Sequence, residues 1–175
     1  RTWYKMNIFQ EIINAGKNLA SKVKEAMDWY RGKIKETQVF QKKSFPEIGN
    51  MYIFTYDAKH KDKLPIWDSY PLVFPIQFYK DGFLGINLHY LPPQQRAGLL
   101  NALSTIATDD KYTDNTKLNI SYQILSKSAS KFSGYENCVK RYLYSHIRTS
   151  FFYVSPADWK YVALLPIEKW NTKRR

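Results

Sequence analysis

Apolar positions recur at helical spacing over the first part of the chain. Ile8, Ile12, Leu19, Val23, Met27, Tyr30 and Ile34 follow one another at intervals of three, four or seven, and Phe9, Ile13, Ala20 and Ala26 widen the stripe. The pattern predicts one amphipathic helix over residues 6–36, with Lys17, Lys22, Lys24, Lys33 and Lys35 mostly off its apolar face. At about 1.5 Å per residue such a helix is roughly 45 Å long, more than a small domain can cover. Its stripe, represented by Ile8, Ile12, Leu19, Val23 and Tyr30, is therefore expected to pack on another subunit or to straddle an assembly. Folding back on its own domain is the equal alternative. Gly16 and Gly32 are the points where the helix would break.

After a linker over 37–48 the period changes from helical to alternating. Met51, Ile53 and Thr55 alternate with Tyr52, Phe54 and Tyr56, a strand with two usable faces. Residues 57–64 are charged and form a loop. Residues 71–79 read as a strand bounded by prolines. Lys80-Asp81-Gly82 is a hairpin turn in which Gly82 is available for a positive φ, and 83–90 is the returning strand. These three strands predict a small, strongly bent antiparallel sheet, with an SH3-like unit as one candidate. Gly85 inside a strand marks a bend or a close backbone approach.

Pro93 opens a helix over 94–105, with Leu99, Leu100, Leu103 and Ile106 on one face. Residues 108–116 form a turn-rich loop, and 118–125 is apolar and more helical than extended. Val139, Tyr142, Leu143 and His146 sit at core spacing and predict a helix over 135–146. A strand is expected over 150–154. Ser155-Pro156-Ala157-Asp158 then combines an N-cap, a proline in the first turn and an early acid, which starts a helix over 156–164. The fold class is therefore α+β, with helices packed on the sheet. It divides into a helical arm and linker (1–48), a compact domain (49–170) and a basic tail (171–175).

Charge adds a partner to this picture. Lys and Arg number ten against five acids over 1–50, five against six over 51–110, and twelve against four over 111–175, for a net charge of +12. A near-neutral centre between two basic flanks is the footprint of a polyanion, since phosphates gain from local cations and release counterions. A lysine-rich solvated surface is the plainer explanation, but it gives no reason for the middle third to lack excess charge. Fourteen Tyr, five Trp and ten Phe are enough for an aromatic core and argue against whole-chain disorder. One cysteine, Cys138, allows no intrachain disulfide. No apolar run reaches the roughly 20 residues of a membrane span, and no signal peptide is visible.

Catalytic patterns are sparse. The chain has no glycine-rich phosphate loop, nucleophile elbow or zinc spacing. His60, His89 and His146 are scattered, and His89, in a strand beside Tyr90, is expected to be structural. A nuclease would need acids such as Asp57 and Asp68 to converge on a metal ion with a lysine nearby. Neither an enzyme nor a cofactor or metal site is expected. The more informative stretch is 126–148, where Lys127, Lys131, Lys140, Arg141 and Arg148 are interleaved with Ser126, Ser128, Ser130 and Ser133 and with Tyr135, Tyr142 and Tyr144. Cations and small hydroxyls suit phosphate oxygens, and tyrosines can stack on bases at a frayed end. The same residues would also serve as a solvated face over a tyrosine core.

The central segment carries a family likeness. Gly49 to Asp57 (GNMYIFTYD), Leu64-Pro65 with Trp67-Asp68, Pro71 to Pro75 (PLVFP), Gly82 to Pro92 (GFLGINLHYLP) and Arg96 resemble the DNA end protectors, or virion structural proteins, of T4-like tailed bacteriophages. Lys117 to Tyr122 and Lys140 to Leu143 add to the resemblance, which covers roughly 49–166 and leaves the 6–36 helix outside. It implies a virion protein, made in the host cytoplasm, that binds the end of packaged double-stranded DNA and contacts other virion proteins. Cleavage by a head protease would fit a chain opening at Arg1. The rival expectation is a neck, portal or baseplate protein acting through protein contacts alone. No catalytic residue is implied.

Overall fold

The computed structural model describes residues 7–15, 20–39, 45–59, 62–63, 68–131 and 138–165. Among them are five helices, α1 (Ile8–Ala15), α2 (Ala20–Val39), α3 (Pro93–Ala107), α4 (Asp114–Lys131) and α5 (Trp159–Leu164), and five strands, β1 (Met51–Ile53), β2 (Leu72–Phe78), β3 (Gly82–Asn87), β4 (Val139–Leu143) and β5 (Phe152–Val154). The strands form one antiparallel sheet in the order β4-β3-β2-β1-β5. β4 and β5 lie at its two edges, and an isolated antiparallel bridge pairs Tyr56, beyond β1, with Ile147, beyond β4.

Alternation along the strands divides the core in two. Met51, Ile53, Leu72, Phe74, Ile86 and Val154 share one cluster with Leu99, Leu100, Leu103, Trp159 and Val162 of the helices. The intervening residues Tyr52, Phe54, Val73 and Phe83 build a second cluster with Tyr56 and Tyr142. This second cluster is mostly aromatic, and its rings meet edge to face: Phe54 lies 5.3 Å from Tyr142 and 5.9 Å from Phe83. That geometry suits the ring quadrupole better than face-to-face stacking.

The single long N-terminal helix is corrected to two. Lys22 Nζ lies 3.2 Å from Glu11 Oε2. Eleven residues of straight helix would separate those positions by about 16 Å along the axis, so α1 and α2 are not collinear. Asn7 and Gln10 cap α1 reciprocally: Gln10 N donates to Asn7 Oδ1 at 2.9 Å and Asn7 N to Gln10 Oε1 at 3.2 Å. Gly32 lies inside α2 without breaking it, while Gly16 is outside the described residues.

Part of the apolar stripe is buried within this chain, while Ile13 stays exposed. Phe9, Ile12, Ala26 and Tyr30 are buried in the same cluster as the sheet, Ile8 packs against it, and Val23 is half-buried; Leu19 lies outside the described residues. Tyr30 also donates its hydroxyl to Tyr70 O at 2.6 Å, and Trp29 stacks on Tyr161 at 5.5 Å. Of the residues expected at an assembly interface, Ile12 and Tyr30 are thus buried in the chain's own core, while Ile8 and Val23 are partly exposed.

The hairpin and the later elements follow the pattern with three exceptions, the first being that the returning strand ends at Asn87 and His89 sits in a single turn, Leu88–Tyr90. The shift of register between Pro75 and Gln77 leaves Ile76 as an extra residue, a bulge where a proline without N–H is tolerated. Gly82 does not adopt a positive φ; among the described residues only Gly49 does, at 94°. Gly82 is needed for closeness instead, because a Cβ there would run into the carbonyl oxygen of Tyr142 on β4. Ser155 caps the turn Pro156–Asp158 by accepting from Ala157 N at 3.3 Å, and α5 follows. The helix expected over 135–146 is instead strand β4 from Val139 to Leu143, followed by a single turn, Tyr144–His146; residues 132–137 are not described. β4 is the neighbour of β3, with Phe83 opposite Tyr142 and Gly85 opposite Lys140.

Candidate nucleic-acid interface

Two of the five predicted cations sit side by side on β4 and point to opposite faces of the sheet edge. Lys140 lies over the ring of Tyr90 with Nζ 4.7 Å from its centroid, and burial lowers its pKa. Arg141 lies over Tyr79 at 4.1 Å and donates from Nη2 to Asp81 Oδ1 at 2.6 Å. Tyr79 and Asp81 flank Lys80 in the turn of the β2–β3 hairpin, so the hairpin tip holds Arg141 in place. Charges on an edge strand also block its pairing with another chain, and that alone would justify them.

Arg148 lies in the segment after the turn Tyr144–His146. Its Nη1 donates to Ser145 O at 2.8 Å, and its Nη2 lies 3.1 Å from Asp57 Oδ2. His146 Nδ1 donates to Asp57 O at 2.8 Å and Asp57 N to His146 O at 2.9 Å, which ties the 57 loop to this turn. Lys127 is exposed on α4, and Lys131 is the last residue of that helix, with its side chain not described. The structure thus gathers Lys140 and Arg141 on the sheet edge, with Arg148 beyond β4's C-terminal end, and puts Lys127 and Lys131 on a helix. Arg141 and Arg148 are held by acids of the same chain. Both pairs are half-exposed, and such pairs contribute only about 0–1 kcal/mol, so a phosphate can replace the carboxylate.

The acids considered for metal binding do other work. Asp57 serves Arg148, as above. Asp68 is buried: its Oδ1 accepts from Tyr70 N at 3.0 Å, and its Oδ2 accepts from Asn87 Nδ2 at 3.0 Å and meets His89 Nδ1 at 2.5 Å. Asn87 in turn accepts from His89 N at 3.0 Å and lies 3.2 Å from the Tyr142 hydroxyl. This network joins the 68–70 segment, the end of β3 and the edge strand β4. Burial alone would raise the Asp68 pKa, but the charge of His89 and the hydrogen bonds from His89, Asn87 and Tyr70 hold it below its usual range. A carboxyl with a depressed folded pKa stabilises the fold at neutral pH, and the contribution fades as pH falls below about 4. Replacing Asp68 by Asn is expected to cost about 3 kcal/mol at pH 7 and much less near pH 3. Denaturant unfolding at the two pH values measures it; an equal cost at both would show that the carboxylate charge is not what holds the network.

Sequence reasoning missed the burial of Arg96, the seat of Arg141 and the exposed ring of Phe78, whereas Tyr144 was already among the tyrosines expected to stack on bases. Arg96 is fully buried and donates from Nη1 to Val162 O at 3.2 Å and to Leu165 O, at the C-terminal end of α5. Tyr79 and Asp81 turn out to be the seat of Arg141. Phe78 and Tyr144 are exposed to 38% and 40%, and each leans on the buried ring of Phe83 at 6.2 Å. The only advance signal for Phe78 was an aromatic residue immediately before a charged turn.

The fold and site describe a basic α+β protein with Lys140 and Arg141 laid on the rings of Tyr90 and Tyr79 at one sheet edge. The chain belongs to the phage T4 terminal DNA protecting protein family, which it matches over residues 3–175. The match includes α1 and α2, which the resemblance read from the sequence had left out. No curated protein and no solved structure matches the chain.

Proposed function

We propose that this protein binds the end of packaged double-stranded DNA through sequence-independent phosphate contacts and shields it from exonuclease without catalysing a reaction. It is carried in the virion after synthesis in the host cytoplasm. The observation that carries this reading is membership, over nearly the whole chain, of a family of terminal DNA protecting proteins. The net charge of +12 supports it, because cations that replace condensed counterions drive binding without reading bases. Arg141 and Arg148 support it as well, since their exposed pairs with Asp81 and Asp57 orient the guanidinium groups at little energetic cost to a phosphate exchange. Lys127, Lys131 and Lys140 complete the proposed contacts. Among the described residues no helix is long and apolar enough to cross a membrane. The reading as a neck, portal or baseplate protein relied on the N-terminal stripe as its main contact, and the burial of Phe9, Ile12, Ala26 and Tyr30 in the chain's own core favours DNA binding over it.

Competition between linear and closed circular duplex for the purified protein tests the proposal. Linear DNA is expected to compete better at equal mass, and equal competition would remove end recognition. Replacing Lys140 and Arg141 together by Ala is expected to weaken binding on the order of tenfold for every duplex sequence and to reduce the salt slope by about 2. An unchanged slope would take these two residues out of the site.

A further inference from the structure

Phosphate contacts cannot by themselves distinguish a duplex end from its interior, because the backbone is the same in both. What an end alone offers is the open face of its last base pair; elsewhere each face is covered by a neighbouring pair. We propose that Phe78 and Tyr144 form a stacking platform that caps the terminal base pair of a DNA duplex. The proposal rests on the DNA-end reading above and names the part of the protein that would give it end preference.

Four observations support the platform. Phe78, Phe83 and Tyr142 are cross-strand partners on β2, β3 and β4, so they form one row of rings on the sheet face opposite the helices. Phe83 and Tyr142 are buried in that row, whereas Phe78 at one end of it and Tyr144 just beyond β4 are each about two-fifths exposed. Both exposed rings rest on Phe83 at 6.2 Å, which places them around one support. The backbone beneath them is fixed: Tyr144 N donates to Asp81 O at 3.0 Å, and Tyr79 N donates to Gly82 O at 2.7 Å. A preorganised ring loses little freedom when a base stacks on it.

The surroundings have the charge a duplex end requires. Arg148 is bonded to the carbonyl of Ser145, the residue after Tyr144. The exposed Lys80 belongs to the hairpin tip beside Phe78, whereas Arg141 alternates with Tyr142 along β4 and lies over Tyr79 on the other face of the sheet edge. A base pair on the two rings would bring its flanking phosphates toward Arg148 and Lys80. An apolar protein partner would have no use for such a rim. Base stacking on aromatic rings does not depend on sequence, as required for a terminus of arbitrary sequence.

The test replaces Phe78 and Tyr144 together by Leu, which keeps apolar bulk but removes the planar faces. The variant is expected to lose about tenfold in affinity for blunt linear duplex and to bind closed circular duplex with unchanged affinity and salt slope. Retained preference for linear DNA overturns the platform, and so does an equal loss on both forms. Tyr144→Phe keeps the ring and is expected to keep the preference, which separates stacking from a folding defect. A duplex carrying 2-aminopurine provides a direct signal: wild-type protein is expected to quench the terminal position and leave an internal one unchanged, and no terminal change also overturns the platform. Should wild-type protein bind linear and circular DNA alike, the DNA-end reading itself fails, a different outcome from loss of the rings.

Discussion

A chain that begins at Phe45 is expected to lose its cooperative unfolding transition. The reason is the position of α1 and α2, whose Phe9, Ile12, Ala26 and Tyr30 are buried in the cluster beneath the sheet. Phe9, Ile12 and Tyr30 are each buried to within a few per cent in the cluster that contains Met51, Leu72 and Leu88. Burial of a large apolar side chain contributes about 2 kcal/mol, so these three alone account for about 6 kcal/mol. The loss continues with Ala26, the Tyr30–Tyr70 hydrogen bond and the apolar sheet surface that would be uncovered. Domains are typically stable by only about 5–15 kcal/mol, so the remainder is expected to be at best partly folded. Denaturant unfolding followed by tryptophan fluorescence measures it. A sigmoidal transition at the full-length midpoint would show that residues 1–44 are an appendage after all.

Replacing Arg96 by Ala is expected to destabilise the protein by about 4 kcal/mol. Arg96 is the largest fully buried side chain among the described residues, and burial pushes its pKa down to about 9, so it remains charged at neutral pH. Its guanidinium donates to the carbonyl oxygen of Leu165, just past α5, and to that of Val162, which also accepts from Leu165 N at 3.3 Å. The alanine variant both leaves those carbonyls without Arg96 and opens a cavity between α3 and α5. Arg96→Met separates the two effects. It fills most of the volume, so a residual cost of about 1–3 kcal/mol is the part owed to the carbonyls. Equal stability of the methionine variant and wild type would show that Arg96 acts as apolar filler. A change in DNA affinity at full folding would argue against its structural role, since it is buried away from the surface cations.

The aromatic site shows how one short stretch can satisfy two patterns. Val139, Tyr142, Leu143 and His146 fit helical spacing, yet Lys140 and Tyr142 also alternate with Val139, Arg141 and Leu143 as a strand requires. Five residues cannot separate a period of 3.6 from one of 2. The exposed edge of β3 decides it, and that edge is more than fifty residues away in sequence. The hairpin was easier, because Lys80-Asp81-Gly82 lies between two apolar runs and its strands are neighbours in the chain. Arg141 was legible as a cation, but its seat on Tyr79 and Asp81 depends on β4 arriving beside that hairpin.

Local chemistry was enough for the α+β class, the β2–β3 hairpin, the starts of α3 and α5 and the basic flanks, because turns, caps and net charge depend on residues close together in the chain. The bend between α1 and α2, the burial of part of their stripe, the insertion of Arg96 under α5 and the pairing of Asp68 with His89 required the tertiary structure. Each joins groups distant in sequence, and which apolar face meets which is settled by the shape and packing of the whole core, not by any one segment's pattern. The same holds for Phe78 and Tyr144: composition gave the rings, and only the fold brought both against Phe83 while leaving each about two-fifths exposed.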